Sequence, residues 1–299
     1  MSKEYKVKKL TLKALLSVTF AILAWLSFNP SDSSSARQEK EAEKSIWSGQ
    51  SGGFTIQWTS ADLLARRAKS PAQTVFSAKY LAENDWKNIQ EDGKEREYNR
   101  SFKLLSVVGS IISYEDSEYC DCGGAHPSMI DHFKAIDLAK PGGVGETETR
   151  QAARLNELFP EADLLKALLA DSLIRKAVQA SKKPEPRTLA KLMETILFQE
   201  IESGDCGYSS KEDQLTRFAF HHLEGGQVAV RLSLSYAYEI CRGRMIDIGI
   251  LLPIPAALKT PLTLAASGKA GFLMKDQKRI ALDKATAFGF STYKQRDNP

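Results

Sequence analysis

The amino-acid sequence predicts an α+β protein: an antiparallel sheet with helices packed on one face, preceded by an N-terminal signal or anchor segment. Three observations carry that expectation. The stretch RFAFHHLEGGQVAVRLSLSYAYEI (217–240) alternates like an antiparallel hairpin, with Gly225-Gly226 at the turn and Val228, Val230, Leu232, Leu234 and Tyr236 on one face. The stretch PEADLLKALLADSLIRKAVQA (160–180) puts Leu164, Leu165, Leu168, Leu169, Leu173 and Ile174 on one helical face. Strands, then helices, then strands again is the order of an α+β chain with an antiparallel sheet.

Taken from the start, residues 1–36 read as a signal peptide or membrane anchor. Lys3, Lys6, Lys8, Lys9 and Lys13 precede the apolar run ALLSVTFAILAWLSF (14–28), a positive segment followed by an apolar one. Ser34-Ser35-Ala36 offers a small-x-small cleavage site, whereas residues 10–28 taken together approach the roughly 20 apolar residues of a span. Both alternatives leave the lysines inside and the rest of the chain extracytoplasmic, periplasmic or secreted, with membrane contact only through this segment. Residues 37–53, rich in Ser, Gly and charge, read as a polar linker that buries too little to offset its ordering entropy.

The folded part divides on expectation into residues 54–100, an N-terminal part, residues 101–265, the main domain, and residues 266–299, a basic tail. GGFTIQWTS (52–60) alternates like a short strand, and SADLLARRA (60–68) looks like a helix start capped by Ser60. FKLLSVVGSIISYED (102–116) reads as a strand and MIDHFKAIDL (129–138) as a second. Pro160 and the acids Glu161 and Asp163 suit the N-terminus of the 160–180 helix, and TLAKLMETILFQEI (188–201) continues in helical period. MIDIGILLPIP (245–255) closes the sheet, stopped by Pro253 and Pro255. The tail, with Lys275, Lys278, Arg279 and Lys284, reads as a solvated helix or loose end. The formal net charge of +4 owes much to the N-terminal lysines, and no cluster of Lys and Arg interleaved with aromatics suggests nucleic acid.

The most unusual stretch is EYCDCGGAHPSMIDHFKAIDL (118–138), which holds two of the four cysteines and two of the four histidines. Gly123 and Gly124 permit positive φ, and Pro127 biases His126 towards extended backbone. Gly123, Gly124, Ala125, His126 and Pro127 are therefore the candidate binding loop, with His126 expected to hydrogen-bond to backbone and not to act as a ligand or base. Met129 and Phe133 are expected in the core, and His221 and His222 on opposite faces of a strand. Asn99-Arg100-Ser101 matches the glycosylation triplet.

Four cysteines in an exported chain indicate a disulfide framework. Cys120-Asp121-Cys122 is tighter than the usual zinc-ligand spacing, and a bond between Cys120 and Cys122 would close a very small ring. One bond from each to Cys206 and Cys241 is expected, in either connectivity, with no metal and no cofactor.

The order of these pieces resembles the extracytoplasmic RsiV-like domain, found at the C-terminal end of lysozyme-sensing anti-sigma factors and of some peptidoglycan deacetylases. The residues that carry the resemblance are Ser113-Tyr114, Gly123-Gly124-Ala125-His126-Pro127, Ile136-Asp137-Leu138, Leu158-Phe159 and Leu173 to Val178. The resemblance implies a module that binds lysozyme, another envelope protein or the peptidoglycan glycan itself. Sigma-factor regulation is not expected, because few residues precede the apolar run. Deacetylase chemistry is not expected either, since His126, His132, His221 and His222 contain no His-x-x-x-His pair. No G-x-S-x-G elbow appears. The acids Glu115, Asp116, Glu118 and Asp121 beside the loop would suit a basic partner or, in the alternative reading, tune a general acid in an envelope hydrolase acting on peptidoglycan or peptides.

Overall fold

The computed structural model describes residues 44–68, 70–90, 94–123, 126–140, 151–196, 199–200, 207–209, 212–236, 246–277 and 285–292. The signal or anchor segment, Gly124, Ala125, Cys206 and Cys241 lie outside the described residues. Among the described residues no helix is long and apolar enough to cross a membrane. The α+β class with antiparallel sheets is what the chain adopts, although the one expected sheet is three among the described residues.

The chain opens with a meander: β1 (Ser45–Ser51), β2 (Phe54–Thr59), β3 (Asp62–Arg67) and β4 (Gln73–Ser77), paired in that order. Two expectations are corrected here. Residues 45–51 are a strand and not linker, because Trp47 finds an edge-on partner in Phe272 at 5.3 Å and Ser51 is buried. Residues 62–67 are a strand and not a helix start. Thr59 Oγ1 accepts hydrogen bonds from the backbone N–H groups of Ala61 (3.1 Å) and Asp62 (2.8 Å), which makes a tight turn where Ser60 suggested a cap. Leu63 and Ala65 are buried in strand alternation after it.

Helix α1 (Ala78–Ile89) follows, its first turn capped by Ser77 Oγ, which accepts from Tyr80 N–H at 3.1 Å. The central sheet comes next, with β5 (Glu97–Val108), β6 (Ile111–Asp121) and β7 (Ser128–Asp137). The expected single strand over 102–116 is thus parts of two, because Gly109, at φ +60°, turns the chain back on itself.

A cluster of small helices then forms: α2 (Leu155–Leu158), α3 (Glu161–Ala170), α4 (Ser172–Ala180) and α5 (Leu189–Ile196). The helix expected over 160–180 is broken at Asp171, whose backbone is extended and whose carboxylate accepts from Leu173 N–H (2.9 Å) and Ile174 N–H (3.1 Å). An Asp placed to cap starts a new helix in a new direction even inside a continuous apolar period.

Short strands β8 (Gln199–Glu200) and β9 (Gly207–Ser209) lead to β10 (Phe218–Glu224), β11 (Gln227–Tyr236) and β12 (Ile246–Pro253). The hairpin turns at Gly225 and Gly226, both at positive φ, as the sequence indicates. Leu164, Leu168, Ile174 and Leu192 of the helices share one core with Phe218, Val228, Val230, Ile248 and Ile250 of these strands. Helix α6 (Ala256–Ala266) and strand β13 (Thr286–Ser291) complete the chain. β13 pairs with β5, Thr286 opposite Phe102 and Ser291 opposite Glu97, so this part of the tail is structural and not a loose end. Phe290 stacks on Trp86 at 5.6 Å, which is the apolar contact that holds it there.

The central sheet, in the order β13-β5-β6-β7, has two covered faces. One face, carrying Phe102, Leu104, Ile112 and Tyr114, packs against Ile56, Trp58, Leu63 and Phe76 of the N-terminal meander and, further along, against α1. The other packs its Gly109 end against the β10–β11 hairpin. There Ser233 Oγ accepts from Phe133 N–H at 2.9 Å and Ser106 Oγ from Phe220 N–H at 3.3 Å. These are called below the α1 face and the β10 face.

Candidate functional site

Side chains two apart on a strand share a face, so β6 deals its acids alternately to the two sides. Asp116, Glu118 and Cys120 go to the α1 face, while Glu115, Ser117 and Tyr119 go to the β10 face. The register places Arg100 of β5 opposite Glu118, His132 of β7 opposite Asp116, and Lys134 opposite Tyr114. Six charged or titratable groups from three strands and a helix thus meet in a cleft of about 560 Å³: Asp85, Arg100, Asp116, Glu118, His132 and Lys134. Leu81, Tyr114 and Ile130 give it apolar walls, and Arg217 lies at its border.

Asp116 is the anchor of this cleft and is 2% exposed. Arg100 grips it with both arms of the guanidinium, Nε to Oδ1 at 2.9 Å and Nη2 to Oδ2 at 2.7 Å, and Lys134 Nζ reaches Oδ2 at 2.9 Å. Burial alone would raise the Asp116 pKa, but the Arg100 hydrogen bonds and then the Lys134 charge outweigh it and hold the carboxyl at about 2. Arg100 also donates from Nη1 to Asp85 Oδ2, an oxygen that accepts from the Tyr98 hydroxyl at 3.1 Å as well, and its guanidinium lies 5.0 Å from the Phe102 ring centre. Desolvation would lower the Arg100 pKa, yet the hydrogen bonds to Asp116 raise it above its ordinary value.

Glu118 differs from its neighbour two residues away. Its carboxylate makes no hydrogen bond or ion pair among the described residues, and burial, followed by the charges of Asp85 and Asp116 against the opposing pull of Arg100, raises its pKa. Two carboxyls on one strand face are therefore driven in opposite directions.

The β10 face has a second acidic group. Glu115, Asp131 of β7 and Asp247 of β12 are each raised first by burial. The Asp131 charge adds to the rise at Glu115 and at Asp247, where Lys103 and Arg231 respectively oppose it, and the Asp116 charge adds to the rise at Asp131. Ser117 Oγ donates to Asp131, which tempers but does not cancel the rise. Beside them a hollow of about 170 Å³ opens between Ser101, Ser117, Tyr119 and Met129. Met129 and Ile130 are 47% and 39% exposed. The expectation of a core Met129 is corrected: β7 is the last strand of its sheet, and the β10–β11 hairpin covers Phe133 but not Met129. Phe133 is in the core as expected.

Among the expected loop residues, Gly123 is exposed at φ +80°, and a Cβ there would meet Arg96 Nη1 at 2.5 Å, so the position requires glycine. His126 is exposed rather than folded back on the backbone, and Pro127 is half-buried. Cys120 is buried against Tyr98 and Ala82, and Cys122 packs beside it with its Cα 5.2 Å away. Their sulfurs sit against one another, too close for a disulfide bond. His221 and His222 do not point to opposite faces. A β-bulge between Phe220 and His222 makes His221 the extra residue, and the two Nδ1 atoms come within 2.7 Å. Asn99 sits within β5, its amide donating to Glu97 Oε1 at 3.0 Å, so the glycosylation triplet is not on a loop.

Sequence reasoning missed Asp85, Arg100 and Lys134. The placing of Arg100 between Tyr98 and Phe102 in EYNRSF (97–102), unusual for a strand on a buried face, is a signal for Arg100; nothing in the local sequence marks Asp85 or Lys134. Compared with protein-family models, with curated proteins and with solved structures, the chain matches none.

Proposed function

We propose that the chain is a non-enzymatic binding or sensory protein of the bacterial cell envelope, placed outside the cytoplasmic membrane by residues 1–36 and, if these are retained, anchored through residues 10–28. The observation that carries this reading is the open end of the β10 face. There the exposed Met129 adjoins three partly buried carboxyls, Glu115, Asp131 and Asp247, whose pKa values are raised first by burial, with Lys103 opposing only at Glu115 and Arg231 only at Asp247. An apolar centre with an under-neutralised acidic border is complementary to a basic protein surface. A lysozyme-like protein fits that chemistry, in keeping with the resemblance to the RsiV-like domain; a neutral glycan ligand fits it less well. Disulfides from Cys120 and Cys122 to Cys206 and Cys241 would hold the neighbouring loop in one conformation and lower the cost of ordering it on binding.

One observation favours the envelope hydrolase as a second reading. Glu118 and Asp116 share a cleft with their pKa values driven apart, which is the arrangement of a general acid and a charged partner. Asp116, however, already accepts three hydrogen bonds from Arg100 and Lys134 and has little capacity left for a nucleophile or a water.

The test is a titration of purified protein with lysozyme as the basic probe, and sedimentation with insoluble peptidoglycan in parallel. Saturable lysozyme binding that weakens steeply with salt and is reduced by Asp131→Asn supports the proposal. Failure to bind lysozyme, together with release of soluble fragments from peptidoglycan that Glu118→Gln abolishes, transfers the assignment to the hydrolase.

A further inference from the structure

The cleft on the α1 face holds one group that its own network leaves over. Among the cations there, Arg100 is committed to Asp116 and Asp85, and Lys134 to Asp116. Among the carboxyls, Asp116 and Asp85 are matched by these same cations, while Glu118 has neither an ion pair nor a hydrogen bond among the described residues. A half-buried carboxylate without a partner is costly relative to one in water. The space in front of it, about 560 Å³, is in the range that holds a small ligand and is walled by Leu81, Tyr114 and Ile130.

We propose that this cleft is a second binding site, independent of the β10 face, for a primary ammonium group on a short alkyl stem, with Glu118 as the counter-ion. The ammonium forms the ion pair that Glu118 lacks, and the alkyl stem lies along Leu81 and Ile130. Anionic ligands are disfavoured, because Arg100 and Lys134 are already paired with carboxylates and Glu118 repels a like charge. Either a free small amine or the side chain of a lysine in a peptide supplies this chemistry. The two sources differ in whether a peptide backbone can be admitted beneath α1.

Isothermal titration of the full-length protein separates these cases, with 1,5-diaminopentane as the free amine, N-acetyl-lysine-N-methylamide as the lysine source, and glutarate as the anionic control. One-site binding of at least one amine is expected, with no binding of glutarate. Glu118→Gln removes the charge and keeps the shape, and it should weaken amine binding at least tenfold while the thermal unfolding midpoint is maintained. Asp131→Asn, on the opposite face, should leave amine binding unchanged even where it reduces lysozyme binding, so that the two sites stand or fall separately. Absence of saturable binding by both amines, equal binding of glutarate, or unchanged affinity in Glu118→Gln overturns the proposal. Binding of the free amine alone assigns the site to small molecules, and binding of both admits a lysine side chain.

Discussion

The α1 face and the β10 face of the central sheet each gather carboxyls from neighbouring strands, and they treat them oppositely. On the α1 face Asp116 is buried and tied to Arg100 and Lys134, so its charge is compensated within the protein. On the β10 face Glu115, Asp131 and Asp247 are partly buried with weaker compensation, Lys103 opposing the rise at Glu115, the Ser117 hydroxyl at Asp131 and Arg231, 3.9 Å away, at Asp247. The first arrangement holds a structure, and in the proposed function the second is matched by a basic partner. The difference arises from one residue of offset along β6, since Glu115 and Asp116 are adjacent in sequence and on opposite sides of the sheet.

The largest expected effect follows from breaking the compensated side. Asp116→Ala leaves buried Arg100 and half-buried Lys134 beside a cavity, and loss of one partner from such a set costs about 3–5 kcal/mol. Urea unfolding followed by circular dichroism measures it. A loss below about 1 kcal/mol would mean that the ion cluster behaves like an exposed one and that the contrast between the faces is wrong.

The second prediction uses the opposite signs of the shifts. Asp116, depressed to about 2, stabilises the fold above the ordinary carboxylate range, and that contribution is lost as pH falls from about 4 to about 2. Glu115, Asp131 and Asp247 are raised, so the folded state holds their protons more tightly than the unfolded chain does. Their contribution is present below the ordinary range and is lost as pH rises through it towards their folded values. Stability should therefore be greatest at the lower edge of the ordinary carboxylate range, at about pH 4 or just below, and decline on both sides. The triple variant Glu115→Gln, Asp131→Asn, Asp247→Asn should flatten the decline towards neutral pH and leave the acid limb in place. Unfolding midpoints collected between pH 2 and pH 8, about six units spanning both windows, decide it.

The smallest effect is the sharpest contrast with the first. Asp131→Asn alone should change stability at neutral pH by no more than about 0.5 kcal/mol, as befits a partly exposed position, while still weakening a basic partner. A loss as large as that of Asp116→Ala would place Asp131 in the structural set.

Much of the architecture was legible because periodicity survives tertiary context. The β10–β11 hairpin, β7 and the strand that ends in Pro253 follow alternation and turn chemistry directly. The failures are instructive. SADLLARRA carries a capping residue and good helix formers, but Thr59 spends its hydroxyl on a turn and the meander then recruits Leu63 and Ala65. Asp171 shows the reverse, a cap hidden inside an apolar period. The loop at Gly123 was readable as one that needs a positive φ. The cleft behind it was not, because Asp85, Arg100, Asp116 and Lys134 come from four elements whose register is set by long-range pairing. For the same reason the bulge that joins His221 to His222 leaves no mark in local spacing.

The pairing of β13 with β5 has a consequence for the making of the molecule. Strand β5 is synthesised early, but its neighbour on one side, residues 286–291, arrives only after every other described strand and helix. Arg96 waits as long, since its backbone N–H is bonded to Thr292 Oγ1 at 2.8 Å. Until then β5 presents a row of unmatched peptide groups, the surface on which chains pair with one another by mistake. Long-range closure is also slow, because the intervening loop must lose its freedom before the contact forms. Whatever keeps the growing chain from associating with its copies must act until Ser291 has emerged, and a chain cut short before Thr286 would retain that vulnerable edge permanently.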